Sequence, residues 1–288
     1  MNILVLGKDG QLGKSLQKFA HKIDANFSFF SKEELDINDT HSLDKFFRTN
    51  TPGIVLNSSA YTNVEKAEED PILAFKTNGS SVENLARSCK KYNSKLIHIS
   101  TDYIFDGLNS DGYREDHIPN PLNIYGKSKL LGEQGIRSSD CEHLILRTSW
   151  VFSSNGNNFF NKIRDLSKNQ NELKIVSDQF GSPTYSDDIA VAIYSMMKFL
   201  EEPNFKKTLN FAGNEKCSWF EFASEIVNFL KVKSSQFNDV SVVPISSNEF
   251  EAKATRPKNT FLSSDLIESQ FNIKPSDWKK AIREIING

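Results

Sequence analysis

Short apolar runs alternate with longer amphipathic stretches along the first half of the chain. NILVLG, FSFFS, GIVLNSSA and KLIHIST are rich in β-branched and aromatic residues and bounded by polar or glycine-containing turns, so they read as strands. Between them, from about Gln11, across DTHSLDKFFRTN and across PILAFKTNGSSVENLARSCKKYN, apolar positions recur every three or four residues, as in helices that bury one face. Parallel strands need crossover helices, so the alternation predicts an α/β fold with a doubly wound, Rossmann-type parallel sheet. HLILRTSWVF adds a further strand. Beyond Trp150 the rhythm loosens into SSNGNNFFNKI, LKIVSDQFGSPTYSDD and NFAGNEKCSWFEFASEIVNFL, and PSDWKKAIREIING closes the chain as a helix with Ser276 or Asp277 as its N-cap. The expected organisation is a main unit of residues 1–150, joined by about 175–205, and a smaller, closely packed C-terminal subdomain within 151–288.

Composition narrows the partners. At 288 residues the chain can bury a substantial core, and 38% hydrophobic with 25% charged residues is a globular balance. A formal net charge of −2, with Lys and Arg scattered among Asp and Glu, offers no footprint for nucleic acid or an anionic membrane, and neither is expected as a partner. Cys89, Cys141 and Cys217 are far apart and odd in number, which suggests neither a disulfide framework nor a zinc site; no metal ligand cluster is expected. MNILVLG lacks a basic leader and is too short to be a signal peptide, so a cytoplasmic location is expected.

Three features carry chemistry. Gly7, Gly10 and Gly13 in VLGKDGQLGKSL stand between the first strand and the first helix, where a dinucleotide fingerprint places glycines so that the backbone and the helix N-terminus approach a pyrophosphate. Their G-x-x-G-x-x-G spacing differs from the common G-x-G-x-x-G. At the end of the second strand, Ser31 and Lys32 occupy the place of an acid that would bind a ribose 2′-hydroxyl; a hydroxyl and an ammonium suit a 2′-phosphate, which favours NADPH and leaves NADH possible. Lys32 as a solvated surface charge, with Asp36 as the acid, is the competing reading. Finally, KLIHIST ends in Thr101, and NIYGKSKLLGE places Tyr125 and Lys129 one helical turn apart on one face. Tyr194 and Lys198 repeat that spacing in IAVAIYSMMKFL, where the apolar surroundings predict an ordinary packed helix.

Glycine turn, strand-end threonine and Tyr-x-x-x-Lys together resemble the extended short-chain dehydrogenase/reductase superfamily. Within it, GKDGQLGKSL, LDI, NSSAYTNVEKAE, HISTDYIFDG, PLNIYGKSKLLGE, LILRTSWVF, NNF, DQFGSPT and RPKNTFL are similar, in the same order and over nearly the whole chain, to the dTDP-4-dehydrorhamnose reductase family. The resemblance implies NAD(P)H-dependent reduction of the C4 ketone of dTDP-4-dehydro-L-rhamnose. It implies Tyr125 as proton donor, Lys129 as the partner that lowers its pKa and positions the cofactor, and Thr101 as the hydroxyl that polarises the substrate. It further implies Gly10, Gln11 and Leu12 at the pyrophosphate, Asp36 and Ile37 at the adenine side, Ala60, Tyr61 and Thr62 at the inner half of the cofactor, and Asp102, Trp150, Asn158 and Arg256 at the dTDP-sugar. Arg256, in KATRPKN, would clamp the diphosphate; a loop ion pair is the alternative. Some members carry an acid after the glycine turn that helps hold Mg²⁺ between subunits. This chain has Lys14 and Ser15 there, so a monomer or a homodimer without a bridging metal is expected. A reductase or epimerase of another nucleotide 4-keto-6-deoxy sugar is the nearest alternative; a 4,6-dehydratase of the same superfamily is disfavoured because Tyr103 stands where dehydratases carry a second acid. A non-catalytic dinucleotide-binding subunit, like the β subunit of methionine adenosyltransferase, is the alternative from another class.

Overall fold

A computed structural model describes Met1–Gly288. Six parallel strands form one sheet in the spatial order Lys206–Asn210, His143–Thr148, Lys95–Thr101, Ile54–Asn57, Asn2–Leu6, Asn26–Phe30. The chain order reverses between the first strand, Asn2–Leu6, and the third, Ile54–Asn57, and a crevice opens beyond the carboxyl ends of strands at such a switch point. The sixth strand, Lys206–Asn210, lies just past the stretch of 175–205 expected to join the main unit.

Side-chain alternation explains why both sheet faces are covered. Ile3 and Val5 point to one face with Ile54, Leu56, Ile97, Leu144 and Leu146, packing against the helices Gln11–Phe19 and Ser186–Met197. Leu4 and Leu6 point to the other, against the helices Thr40–Asn50, Ser81–Lys91 and Ile124–Ser138. Tyr194 belongs to the first of these cores and its hydroxyl donates to the Leu16 carbonyl at 2.6 Å, so the second Tyr-x-x-x-Lys is structural, as expected. A separate aromatic core holds the C-terminal part together: Phe152, Phe160, Phe222 and Trp278 join the helices Phe159–Leu166, Trp219–Lys233 and Trp278–Asn287. Asp277 is the N-cap of the last helix, accepting from the Lys280 N–H. No helix is long and apolar enough to cross a membrane.

The expected helix at PILAFKTNGSSVENLARSCKKYN contains a π-turn, Lys76–Ser80, between Pro71–Phe75 and Ser81–Lys91. Such a turn commonly marks a functional place. Here it turns the Asn78 side chain inward, where it accepts from Tyr61 N (2.8 Å), donates to Tyr61 O (2.9 Å) and donates to Ser128 Oγ (3.0 Å), tying the loop after the third strand to the helix Ile124–Ser138.

Candidate active site

The crevice at the switch point is a cleft of about 810 Å³. It is lined by Gly7, Gly10, Gln11, Leu12, Ser31, Lys32, Asp36, Ile37, Ala60, Tyr61, Thr62, Thr101, Asp102, Tyr125, Lys129, Trp150, Asn158 and Arg256, so all the expected site residues except Gly13 border one cavity. A second cavity of about 480 Å³, between the helices Ser186–Met197 and Trp278–Asn287, contains none of them.

At one end of the cleft the glycine turn delivers the helix Gln11–Phe19. Gly7 has φ of +89°, and a Cβ on Gly13 would collide with the Gly7 carbonyl oxygen, which is why the turn tolerates no side chain at either position. Gly10 is the N-cap, no side chain caps this end, and the first turn holds no acid. The N–H groups of Gln11, Leu12 and Gly13 make no hydrogen bond within the protein, so a helix N-terminus with three free donors and its positive dipole faces the cleft. The residues present therefore fit the pyrophosphate of a dinucleotide.

Nearby, Ser31 is buried and its hydroxyl caps the Glu34 N–H (3.3 Å), while Lys32 is exposed at the rim. Glu34 ion-pairs with Lys8 at 2.6 Å. Asp36 is engaged in its own turn, accepting from Asn38 N and Nδ2 at 2.9 Å each.

At the other end, the strand Lys95–Thr101 brings up Thr101, and the helix Ile124–Ser138 brings up Tyr125 and Lys129. Asn123 caps that helix, accepting from Gly126 N (2.8 Å), and its amide donates to the Thr255 carbonyl (2.9 Å) next to Arg256. Gly126 allows the approach: a Cβ there would collide with the Tyr103 carbonyl oxygen, holding the tyrosine away from the strand end. Burial pushes the Tyr125 phenol up from its ordinary pKa, the Thr101 hydroxyl pulls it down, and Asp102 and Tyr103 push it further up. Lys129 is 2% exposed; burial lowers it to about 8, with Glu133 opposing. Its amine donates to the Ile99 carbonyl at 2.6 Å and lies 3.2 Å from His98 Nε2.

Asp102 is buried and raised to about 7 by burial, with the hydroxyls of Thr260 and Thr101 opposing. Eight buried side-chain polar atoms make no hydrogen bond, and four of them, Ser100 Oγ, Asp102 Oδ2, Thr148 Oγ1 and Arg256 Nε, belong to residues that border this cleft. Native proteins satisfy such atoms, so their concentration here marks a place where a polar ligand completes the structure.

Other expected residues border the cleft and also bond within the protein. The Asn158 amide is used within the protein: Oδ1 caps the helix Phe159–Leu166 and Nδ2 donates to Gln11 Oε1 at 2.7 Å. The oxygen of Gln11 also accepts from Ser153 (3.0 Å), so this pair links the glycine turn to the C-terminal part, and Gln11 meets the cleft with its backbone N–H. Arg256 is both things considered for it, a cleft residue and a loop ion pair, with Glu65 at 2.8 Å. Trp150, at φ of +42°, stacks on Trp219 with centroids 3.4 Å apart and planes within 5°. Trp219 also borders the cleft and was missed, because at the start of CSWFEFASEIVNFL it reads as one more apolar helix position. Where a metal-binding acid would stand, the Ser15 hydroxyl lies 2.7 Å from that of Ser186 and donates to Asp187 at 2.6 Å; Asp187 also binds Lys18.

A doubly wound sheet, an uncapped helix N-terminus at its switch point, and a strand-end threonine facing Tyr-x-x-x-Lys across the same cleft define a nicotinamide-dinucleotide oxidoreductase of the extended short-chain dehydrogenase/reductase class. Comparison with known proteins narrows this. The family model described as "RmlD substrate binding domain" matches residues 1–288, and the chain belongs to that family. The dTDP-4-dehydrorhamnose reductase of Aggregatibacter actinomycetemcomitans is 36% identical over 291 residues, covering 98% of this chain and 97% of that protein. Among solved structures, a dTDP-4-dehydrorhamnose reductase from Clostridium acetobutylicum superposes with a TM-score of 0.93 at 33% identity, covering 100% and 99% of the two chains. One from Bacillus anthracis, in complex with NADP, gives 0.92 at 33% identity, covering 99% and 98%.

Proposed function

We propose that this chain reduces the C4 ketone of dTDP-4-dehydro-L-rhamnose to dTDP-L-rhamnose with NADPH, supplying a nucleotide sugar for polysaccharide synthesis. The observation that carries the reading is the convergence of Thr101, Tyr125 and Lys129 in a cleft headed by the free N–H groups of Gln11, Leu12 and Gly13. Similarity to reductases named for this substrate, one of them holding NADP, supports the choice of sugar and cofactor.

The free donors of the first helix hold the pyrophosphate, Ser31 and Lys32 take the 2′-phosphate, and Asp36 and Ile37 flank the adenine. Ala60, Tyr61 and Thr62, fixed by Asn78, support the inner half. NADPH, when bound, supplies a hydride to C4. The chain must then deliver a proton to the nascent alkoxide. Tyr125 suits this, because burial keeps its phenol protonated at neutral pH, and Lys129, one turn along the same helix, stabilises the phenolate left behind. Thr101 donates to the carbonyl oxygen and orients it towards the phenol. Arg256 and Asp102 offer unpaired atoms to the sugar nucleotide, while Trp150 and Trp219 give it an aromatic wall. Asn158 acts by holding Gln11. Tyr103 in place of a second acid removes the group that elimination chemistry requires. We place the enzyme in the cytoplasm as a monomer or a homodimer.

The test is loss of NADPH absorbance by the purified chain with enzymatically generated dTDP-4-dehydro-L-rhamnose, with NADH run in parallel. Turnover with NADPH preferred is expected. Bound NADPH without turnover of this sugar would refute the assignment.

A further inference from the structure

His98 and Asn57 are fully buried polar residues of two central strands, and they are direct partners across the ladder between Ile54–Asn57 and Lys95–Thr101. Neither borders the cleft, yet both connect to it. Asn57 Oδ1 accepts from the Ser59 backbone N–H (3.1 Å) and from the Ser59 hydroxyl (2.6 Å). A backbone N–H can only donate, so the orientation of the Asn57 amide is decided by that bond, and its Nδ2 faces His98 Nδ1 at 3.1 Å. An amide nitrogen also only donates. His98 Nδ1 must therefore present a lone pair, which puts the proton of a neutral imidazole on Nε2. That N–H points at Lys129 Nζ, 3.2 Å away.

We propose that His98, locked in its Nε2–H tautomer by Asn57, is a positioning residue that accepts Lys129 as the free amine and opposes the ammonium. A free amine has a lone pair to receive the Nε2–H and two hydrogens, one of which goes to the Ile99 carbonyl. An ammonium would set a donor against a donor. Relief would require His98 to move its proton to Nδ1 and Asn57 to rotate, and rotation would turn the Asn57 amide nitrogen towards the Ser59 N–H. Burial pushes Lys129 in the same direction as His98. Opposing both is Glu133, one turn along the helix; its charge is shared with Arg147 (2.8 Å) and Arg137 (2.8 Å). Tyr125 and Tyr103, on the helix and on the turn after the strand, are neutral, and Asp102 is the other titratable group at this end of the cleft. The balance keeps Lys129 near the point where it can hand a proton towards the Tyr125 phenolate, becoming an amine, and regain one from water. This inference rests on Lys129 serving Tyr125 as proposed above.

The tautomer can be read directly by ¹⁵N NMR of histidine-labelled protein. The chain has five histidines, and the other buried one, His143, is an internal control of the opposite kind, since its Nδ1 meets the Cys141 carbonyl at 2.9 Å and must carry the proton. Above the Lys129 pKa, a neutral Nε2–H His98 beside an Nδ1–H His143 is expected. An Nδ1–H or cationic His98 under those conditions would overturn the inference, whatever the enzyme turns over. In the assay, His98→Phe removes the donor that favours the amine, so the basic limb of the pH profile of kcat/KM should move up by about one pH unit, the effect of one hydrogen bond. An unmoved limb in a folded variant would also overturn it. Absence of turnover in the parent protein would refute the functional reading and leave the NMR result to decide this one.

Discussion

Two tyrosines stand four residues before a lysine, and exchanging each for phenylalanine separates chemistry from packing. The Tyr125 phenol makes no hydrogen bond to the backbone; it lies beside Thr101, and the helix that carries it is held by Asn123, Gly126 and the bonds of Lys129 to the strand Lys95–Thr101. Tyr125→Phe should therefore leave the fold and NADPH affinity nearly unchanged. Turnover should fall by about 10² to 10⁴, the usual contribution of a positioned proton donor, equivalent to about 3–5 kcal/mol of transition-state stabilisation. Tyr194→Phe deletes the buried bond to the Leu16 carbonyl. It should cost about 1–2 kcal/mol of stability, lowering the melting temperature by about 2–4 °C in a chain of this size, with turnover at the parental level. Steady-state NADPH oxidation, calorimetric NADPH binding and thermal melts of the two variants side by side give the comparison. Equal loss of turnover in both, or a melting shift confined to Tyr125→Phe, would refute the assignment.

Gly13→Ala drives a Cβ into the Gly7 carbonyl and must displace the glycine turn, so NADPH affinity measured by calorimetry should weaken at least about tenfold while helical circular dichroism is retained. Arg147 and Glu133 form a buried bidentate pair at 3.0 and 2.8 Å; Arg147→Met should destabilise by about 3–5 kcal/mol in urea unfolding, and adding Glu133→Leu should restore most of it. Asp102 is raised to about 7 in the folded chain, above its unfolded value, so the stability it contributes is fully present below about pH 4 and is lost as pH rises through about 7. Asp102→Asn should flatten the dependence of the urea midpoint between about pH 4 and about pH 8, and an unchanged slope would show that the acid titrates normally.

The expected role of Lys129 is refined by where its bonds go. From the spacing it sits one turn from Tyr125, and so it does, but its amine is held by His98 and Ile99, and the neighbours that shift the phenol are Thr101, Asp102 and Tyr103. The lysine is held one helical turn from the tyrosine, in a position governed by the adjacent strand.

Local pattern determined much of this protein. Short apolar runs such as NILVL and KLIHIST, helical spacing between them, and glycines at one strand-to-helix turn are enough for a doubly wound sheet with a dinucleotide site, because backbone geometry and burial act within a few residues. Tyr125, Lys129 and Thr101 were legible for the same reason: one helical turn and one strand end determine where each can point. Pairings across long separations were not. Asn57 meets His98 through strand register, Gln11 meets Asn158 across the cleft, Asn78 reaches Tyr61 through a π-turn, and Trp219 lies flat on Trp150. The polar interruptions of two buried strands at Asn57 and His98 were a visible signal, but not their partners. Hydrogen-bond partners and stacking faces depend on which segments the folded sheet brings within a few ångströms, and that was decided only by the tertiary structure.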